Sequence, residues 1–184
     1  MSNMLRRDSH GFTIVELLIV IVVIATLAAI SVVAYNGIQQ RARDAQRVQD
    51  IQVLAKALEL YYIDNGHYPA CTGSTSINGS WCTTADSSWA NMSPLLADYI
   101  AKVPRDPISK QTGTGQFPWN VADGYDYSYV ATSGYCGITP SSQLPQMYII
   151  VYKLEQSEKQ NLIGICTTNQ LQYAGSNHRV VKGT

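Results

Sequence analysis

From Leu17 to Gln40 the chain carries no charged residue, and from Leu17 to Tyr35 it is almost wholly apolar: LLIVIVVIATLAAISVVAY. Counted from Phe12, the run to Tyr35 holds 24 residues. At 1.5 Å per residue that is about 36 Å of helix, enough to cross a bilayer core and too long for the apolar centre of a secretory signal. The pattern then becomes amphipathic. Ile38, Ala42, Ala45, Val48, Ile51, Ala55, Leu58 and Tyr62 recur at steps of three or four, which places them on one helix face. Arg43, Arg47, Asp50 and Glu59 are placed mostly around the other sides. No proline interrupts Phe12 to Ile63, and Asn36-Gly37 is the one weak point, a place where the helix could kink or loosen. Asp64-Asn65-Gly66 is a natural stop, with Gly66 suited to a left-handed cap. The pattern predicts one helix of about 50 residues, about 75 Å long, that begins in a membrane and leaves it.

After Pro69 the helical period is lost. Residues 70–93 are rich in Ser, Thr, Gly and Asn around Trp81 and Trp89, and read as a long ordered loop. A short helix is expected at Ser93–Ile100. Tyr125, Tyr127 and Tyr129 alternate with Asp126, Ser128 and Val130, and Met147–Leu154 is a stronger β run. Leu162–Thr167 is a third candidate strand. Three short strands close in sequence predict a small antiparallel sheet, with the amphipathic half of the long helix as its cover. The expected fold class is therefore α+β.

Charge refines this picture. The 184 residues are 46% hydrophobic and only 14% charged, against about 25% for an ordinary soluble protein. Thirteen basic and thirteen acidic side chains cancel, which argues against nucleic acid as the main partner. Arg6 and Arg7 precede the apolar run and favour a cytoplasmic N-terminus, while Arg41, Arg43 and Arg47 beyond it compete. The cysteines break the tie. Cys71, Cys82, Cys136 and Cys166 form an even set beyond the span without C-x-x-C spacing, and disulfides persist outside the cytoplasm. Reduced cysteines in a cytosolic domain are the alternative. Of three permitted pairings, Cys71–Cys82 with Cys136–Cys166 is preferred, because each bridge then closes a local loop.

Glu16 contradicts the apolar run it opens. A charge inside a span is costly, and such a residue usually has a partner. One reading lets it snorkel to the headgroups. The other has its partner created by proteolysis: a cut between Gly11 and Phe12 would give Phe12 an ammonium group, and a neighbouring subunit's ammonium would neutralise Glu16.

RRDSHG followed by FTIVELLIVIVVIATLAAISVV resembles the leader and N-terminal helix of the type IV pilin and type II secretion pseudopilin family, most closely at Gly11, Phe12, Thr13, Glu16 and Leu17. ALELYYIDNGHYPA at 57–70, DYIAKVPRDPISK at 98–110 and YDYSYVA at 125–131 resemble the major-pseudopilin branch. Val33 stands where many members have proline, and the four cysteines are more familiar among pilins. The resemblance implies a leader at 1–11, a filament-core helix at 12–35, the amphipathic second half at 36–66 and an extracytoplasmic pilin-like head at 67–184. It implies cleavage after Gly11, N-methylation of Phe12 by a prepilin peptidase, and assembly through Glu16 and Thr13. Partners would be identical or homologous subunits, the peptidase and an inner-membrane assembly platform. The subunit would sit in the cytoplasmic membrane, N-terminus inside, before joining an extracytoplasmic filament. Losing Arg6, Arg7 and Asp8 with the leader leaves 11 basic and 12 acidic side chains (13 − 2 and 13 − 1), which suits close packing of like subunits. The 71–93 loop and the cysteines lean towards a pilus, and D-N-G-x-Y-P and V-P-x-D-P towards secretion.

Other classes have less to offer. His10, His67 and His178 are scattered, and there is no H-E-x-x-H, G-x-S-x-G or phosphate loop, so an enzyme is not expected. No cofactor is implied. Cys71 near His67 is a poor metal pair, and Asp106, Asp123 and Asp126 lack the alternating ligands of a calcium loop. An uncleaved, single-pass anchored binding domain is the alternative, and leaves Glu16 as an unexplained cost.

Overall fold

A computed structural model describes residues 12–71, 81–109, 125–132, 144–156, 162–163 and 177–182, the last two stretches as strand backbone. The chain forms two compact units, 1–40 and 41–184. Helix α1 (Ile14–Asn65, 52 residues) runs through the boundary. The helix is not interrupted at the weak point Asn36-Gly37. Gly37 stays helical, because a propensity cost of about 1 kcal/mol does not outweigh propagation along a helix already nucleated on both sides. The expected stop is present: Gly66 takes φ +71° and its N–H donates to the Tyr62 carbonyl at 2.8 Å.

In the first unit every described side chain from Phe12 to Asn36 is exposed. The hydroxyls in this apolar stretch bond to their own helix, Thr26 to the Val23 carbonyl and Ser31 to the Leu27 carbonyl, each at 2.8 Å. No polar group of these two side chains then needs water, as a membrane interior demands.

The second unit packs α1 on a five-stranded sheet. Its strands are β1 (Cys82–Thr83), β2 (Ser128–Thr132), β3 (Met147–Tyr152), β4 (Leu162–Ile163) and β5 (Asn177–Lys182), in the order β1-β2-β3-β5-β4. The fold is α+β, as the pattern predicts. Two details differ. β5 lies between β3 and β4, so the third expected strand pairs in parallel with β5 and is not antiparallel. β5 escapes the pattern because its apolar pair, Val180-Val181, is flanked by Asn, His, Arg and Lys and shows no alternation. Within the expected loop, β1, a 3-10 turn (Ser87–Asn91) and helix α2 (Met92–Leu95) appear, the last shorter than Ser93–Ile100. Residues 72–80 and 164–167 lie outside the described residues.

Alternation along β3, and along β2 with Tyr127 just before it, aims Tyr127, Tyr129, Tyr148, Ile150 and Tyr152 into one core with Ile51, Leu54, Ala57 and Leu58 of α1. The phenols keep their polar ends satisfied on this helix and the turn after it. Tyr127 donates to Asp50 at 2.9 Å, Tyr68 and Tyr148 both donate to Glu59, and Tyr129 donates to the Pro69 carbonyl at 2.8 Å.

The early turns of α1 in this unit correct the expected amphipathic face. Ile51, Ala55 and Leu58 are buried as predicted, but Ala42 and Ala45 are exposed and Arg47 is completely buried. Charge faces the head here, and alanine faces out.

Candidate assembly site

Phe12, 91% exposed, precedes the helix. Thr13 caps it. The Thr13 N–H and Oγ1–H both donate to Glu16 Oε2, at 2.8 and 2.7 Å, and the Glu16 N–H donates back to Thr13 Oγ1 at 3.2 Å. This is a reciprocal capping box, and T-I-V-E at 13–16 is its sequence signature. It explains part of Glu16 without a second chain: one oxygen serves the helix end, and Oε1 accepts no bond among the described residues. Gly11 and the rest of the leader lie outside the described residues.

In the second unit the first turns of α1 are bound to the head by charge. Arg47 donates from Nε and Nη2 to both oxygens of Asp106, at 2.5 and 3.3 Å, and from Nη1 to Asp44 and Glu155, each at 2.7 Å. Its guanidinium also lies 4.6 Å from the centre of the Tyr125 ring. Arg43 forms a fork with Glu155, and Arg41 reaches Gln156. Asp44 accepts the Glu155 and Gln156 N–H groups at 2.9 Å each. Burial alone lowers the pKa of the Arg47 guanidinium, and the hydrogen bonds to Asp106 and Glu155 more than reverse this, so it stays above its ordinary value. The bond from Arg43, then that from Arg47, holds Glu155 below the usual carboxylate range against its own burial.

Cys71 and Cys82 form a disulfide with a Cα–Cα distance of 6.0 Å, joining the segment after α1 to β1. Cys136 and Cys166 lie outside the described residues, as does Asp123. The other two carboxylates considered for calcium have other partners. Asp106 holds Arg47 and the Ile108 N–H, and Asp126 accepts from Thr84 and Ser109.

Two family models match the chain: the prokaryotic N-terminal methylation motif over residues 6–32, and type II secretion system protein G over residues 34–114. Type II secretion system core protein G of Escherichia coli is 34% identical over 103 residues, covering 53% of this chain and 66% of that protein. The protein of the same name from Aeromonas hydrophila is 30% identical over 56% of this chain and 71% of its own length. The chain belongs to the type II secretion system protein G family. Fimbrial protein EcpC of Eikenella corrodens is 28% identical over 75% of this chain and 98% of its own length. No solved structure gives a significant match.

Membership makes the chain a pilin-like structural subunit, and it assigns the two halves of α1 to different family signatures. The methylation motif covers Gly11, Phe12, Thr13 and Glu16, while the protein G match takes in Arg47 and Asp106. Sequence reasoning named the first group and missed the role of the second. A charge at helical spacing reads as solvated, and nothing local to Arg47 announces a carboxylate 59 residues away. The capping box was legible and went unread.

Proposed function

We propose that the chain is made as a prepilin, cut between Gly11 and Phe12, methylated on the new Phe12 amine, and polymerised through its apolar helix into the pseudopilus of a type II secretion system. The subunit waits in the inner membrane with Arg6 and Arg7 inside and the Cys71–Cys82 disulfide outside. An assembly platform then draws it into the filament, and no catalytic role is assigned. The observation that carries this reading is the Oε1 of Glu16, which accepts no bond among the described residues, in the first turn of an apolar helix whose side chains from Phe12 to Asn36 are all exposed. In a bundle of such helices a carboxylate with one open oxygen suits a neighbour's ammonium. A fimbrial assembly is the second reading, favoured by the breadth of the match to the Eikenella protein.

Intact-mass analysis of membrane material should show loss of Met1–Gly11 and one added methyl on Phe12. A dominant full-length chain would refute the proposal. Two variants at Glu16 then separate its roles. Glu16→Gln keeps the capping box but removes the charge, whereas Glu16→Ala removes both. Both should be cut, remain in the membrane and yield no sheared filaments. Normal filaments from Glu16→Gln would mean that this side chain only caps its helix. Deleting the gene should abolish release of a secreted protein to the medium; loss of surface fimbriae with secretion intact would favour the second reading.

A further inference from the structure

The Cys71–Cys82 disulfide joins the chain just after α1 to β1, and both cysteines belong to the core that holds Leu54, Leu58, Tyr129 and Tyr148. Cys71 is 5% exposed and Cys82 is 0% exposed. Other contacts hold the same two segments together. Cys82 pairs with Tyr129 across β1 and β2, and the Tyr129 hydroxyl donates to the carbonyl of Pro69, two residues before Cys71. One fully buried phenol therefore spans the two segments that the disulfide links. The Tyr68 N–H donates to the Pro145 carbonyl at 2.9 Å, which ties the Cys71 segment to the chain leading into β3.

A disulfide forms and breaks when a thiolate attacks a sulfur and a mixed disulfide with the attacking partner is made. That intermediate needs room beside the sulfur for a second molecule. The folded head gives almost none, since one cysteine is fully covered and the other nearly so. Sulfur buried in this way reacts only when the core opens, and core segments open far less often than loops and ends.

We propose that the Cys71–Cys82 bond is made by exchange with an external disulfide while the head is still open, and is sealed once β1 and the segment after α1 close on the core. One cysteine thiolate attacks a sulfur of the external disulfide and displaces a thiolate. The second cysteine thiolate then attacks the mixed disulfide and releases the other. Cys71 and Cys82 give up two electrons and two protons, and the external disulfide leaves as thiols. The reaction class that must act on this chain before its head closes is thus thiol oxidation by a disulfide carrier. A head that closes with both thiols free is left unrepaired, and a closed, oxidised head is not a redox switch. The inference rests on the bond and its burial, and not on the filament reading.

Two measurements on the full chain in detergent test it, with Cys71 and Cys82 each followed by alkylation and peptide mass. Dithiothreitol should reduce the bond of the native chain about 100-fold more slowly than that of the denatured chain, or slower still. In the second measurement the chain is reduced, denatured and returned to native conditions, with glutathione disulfide present throughout or added only at the end. With the oxidant present, every head that resists protease should already carry the bond. With the oxidant withheld, one of two results is expected. Either no head gains resistance until the bond is made, or resistant heads with free thiols oxidise about 100-fold more slowly than the denatured chain. Two outcomes overturn the proposal: a native bond reduced as fast as the denatured one, or protease-resistant heads with both thiols free that oxidise at the denatured rate.

Discussion

Arg47 has no exposed side-chain surface, and the Asp106 carboxylate against it is 1% exposed. Forming such a pair returns little net free energy, because both ions lose water, but breaking it strands one of them. Arg47→Met should therefore destabilise the head by about 3–5 kcal/mol. Adding Asp106→Leu should recover most of that loss, with Glu155 still held by Arg43. Arg47→Lys should fall between, because one ammonium cannot reproduce a fork to Asp106 while reaching Asp44 and Glu155. Thermal unfolding of the detergent-solubilised chain measures all three, and a loss below about 1 kcal/mol for Arg47→Met would show that water or another group replaces the cation. None of this was legible beforehand. Spacing fixes which residues share a helix face, but a buried ion pair depends on what the far end of the chain brings to that face.

At the scale of elements, legibility follows the length of the repeating signal. α1 was read to within a few residues because many turns repeat one period, and β3 because six consecutive residues suit a strand. β1 and β4, with two residues each, are too short to carry any period and exist only through their partners β2 and β5. The two glycines of α1 and its end were read differently, Gly37 as a weak point and Gly66 as a stop, and the structure gives them opposite conformations. Gly37 is helical with open space where a Cβ would stand, so Gly37→Ala should stabilise by about 0.5–1 kcal/mol. Gly66 also has open space but takes φ +71°, where a side chain is strained, so Gly66→Ala should cost about 1 kcal/mol. Opposite shifts in melting temperature are the expected result. A stabilising Gly66→Ala would mean that the helix end rearranges, and a destabilising Gly37→Ala that Gly37 is not helical in the resting form.

For the whole molecule, the charge balance is neutral in sum but uneven in its response to acid. Glu155 is held below its ordinary value by Arg43 and Arg47, so it stabilises the head above about pH 4.3, and that contribution is lost as pH falls through its folded value. Asp126 responds the other way. Burial raises it, only partly offset by the bonds from Ser109 and Thr84, so its ionisation opposes folding at neutral pH. That cost is relieved as pH falls through the raised value towards about 3.9. Asp50, raised by burial against its bond from Tyr127, behaves like Asp126. Stability should therefore increase from pH 7 into the mildly acidic range and fall below about pH 4. Asp126→Asn keeps an acceptor for Ser109 and Thr84 and should flatten the rise, whereas Glu155→Gln should shrink the loss below pH 4. Melting temperature against pH for the three chains decides it. A parent profile that declines steadily from neutrality, unchanged in slope by either substitution, would mean that neither carboxylate governs the response.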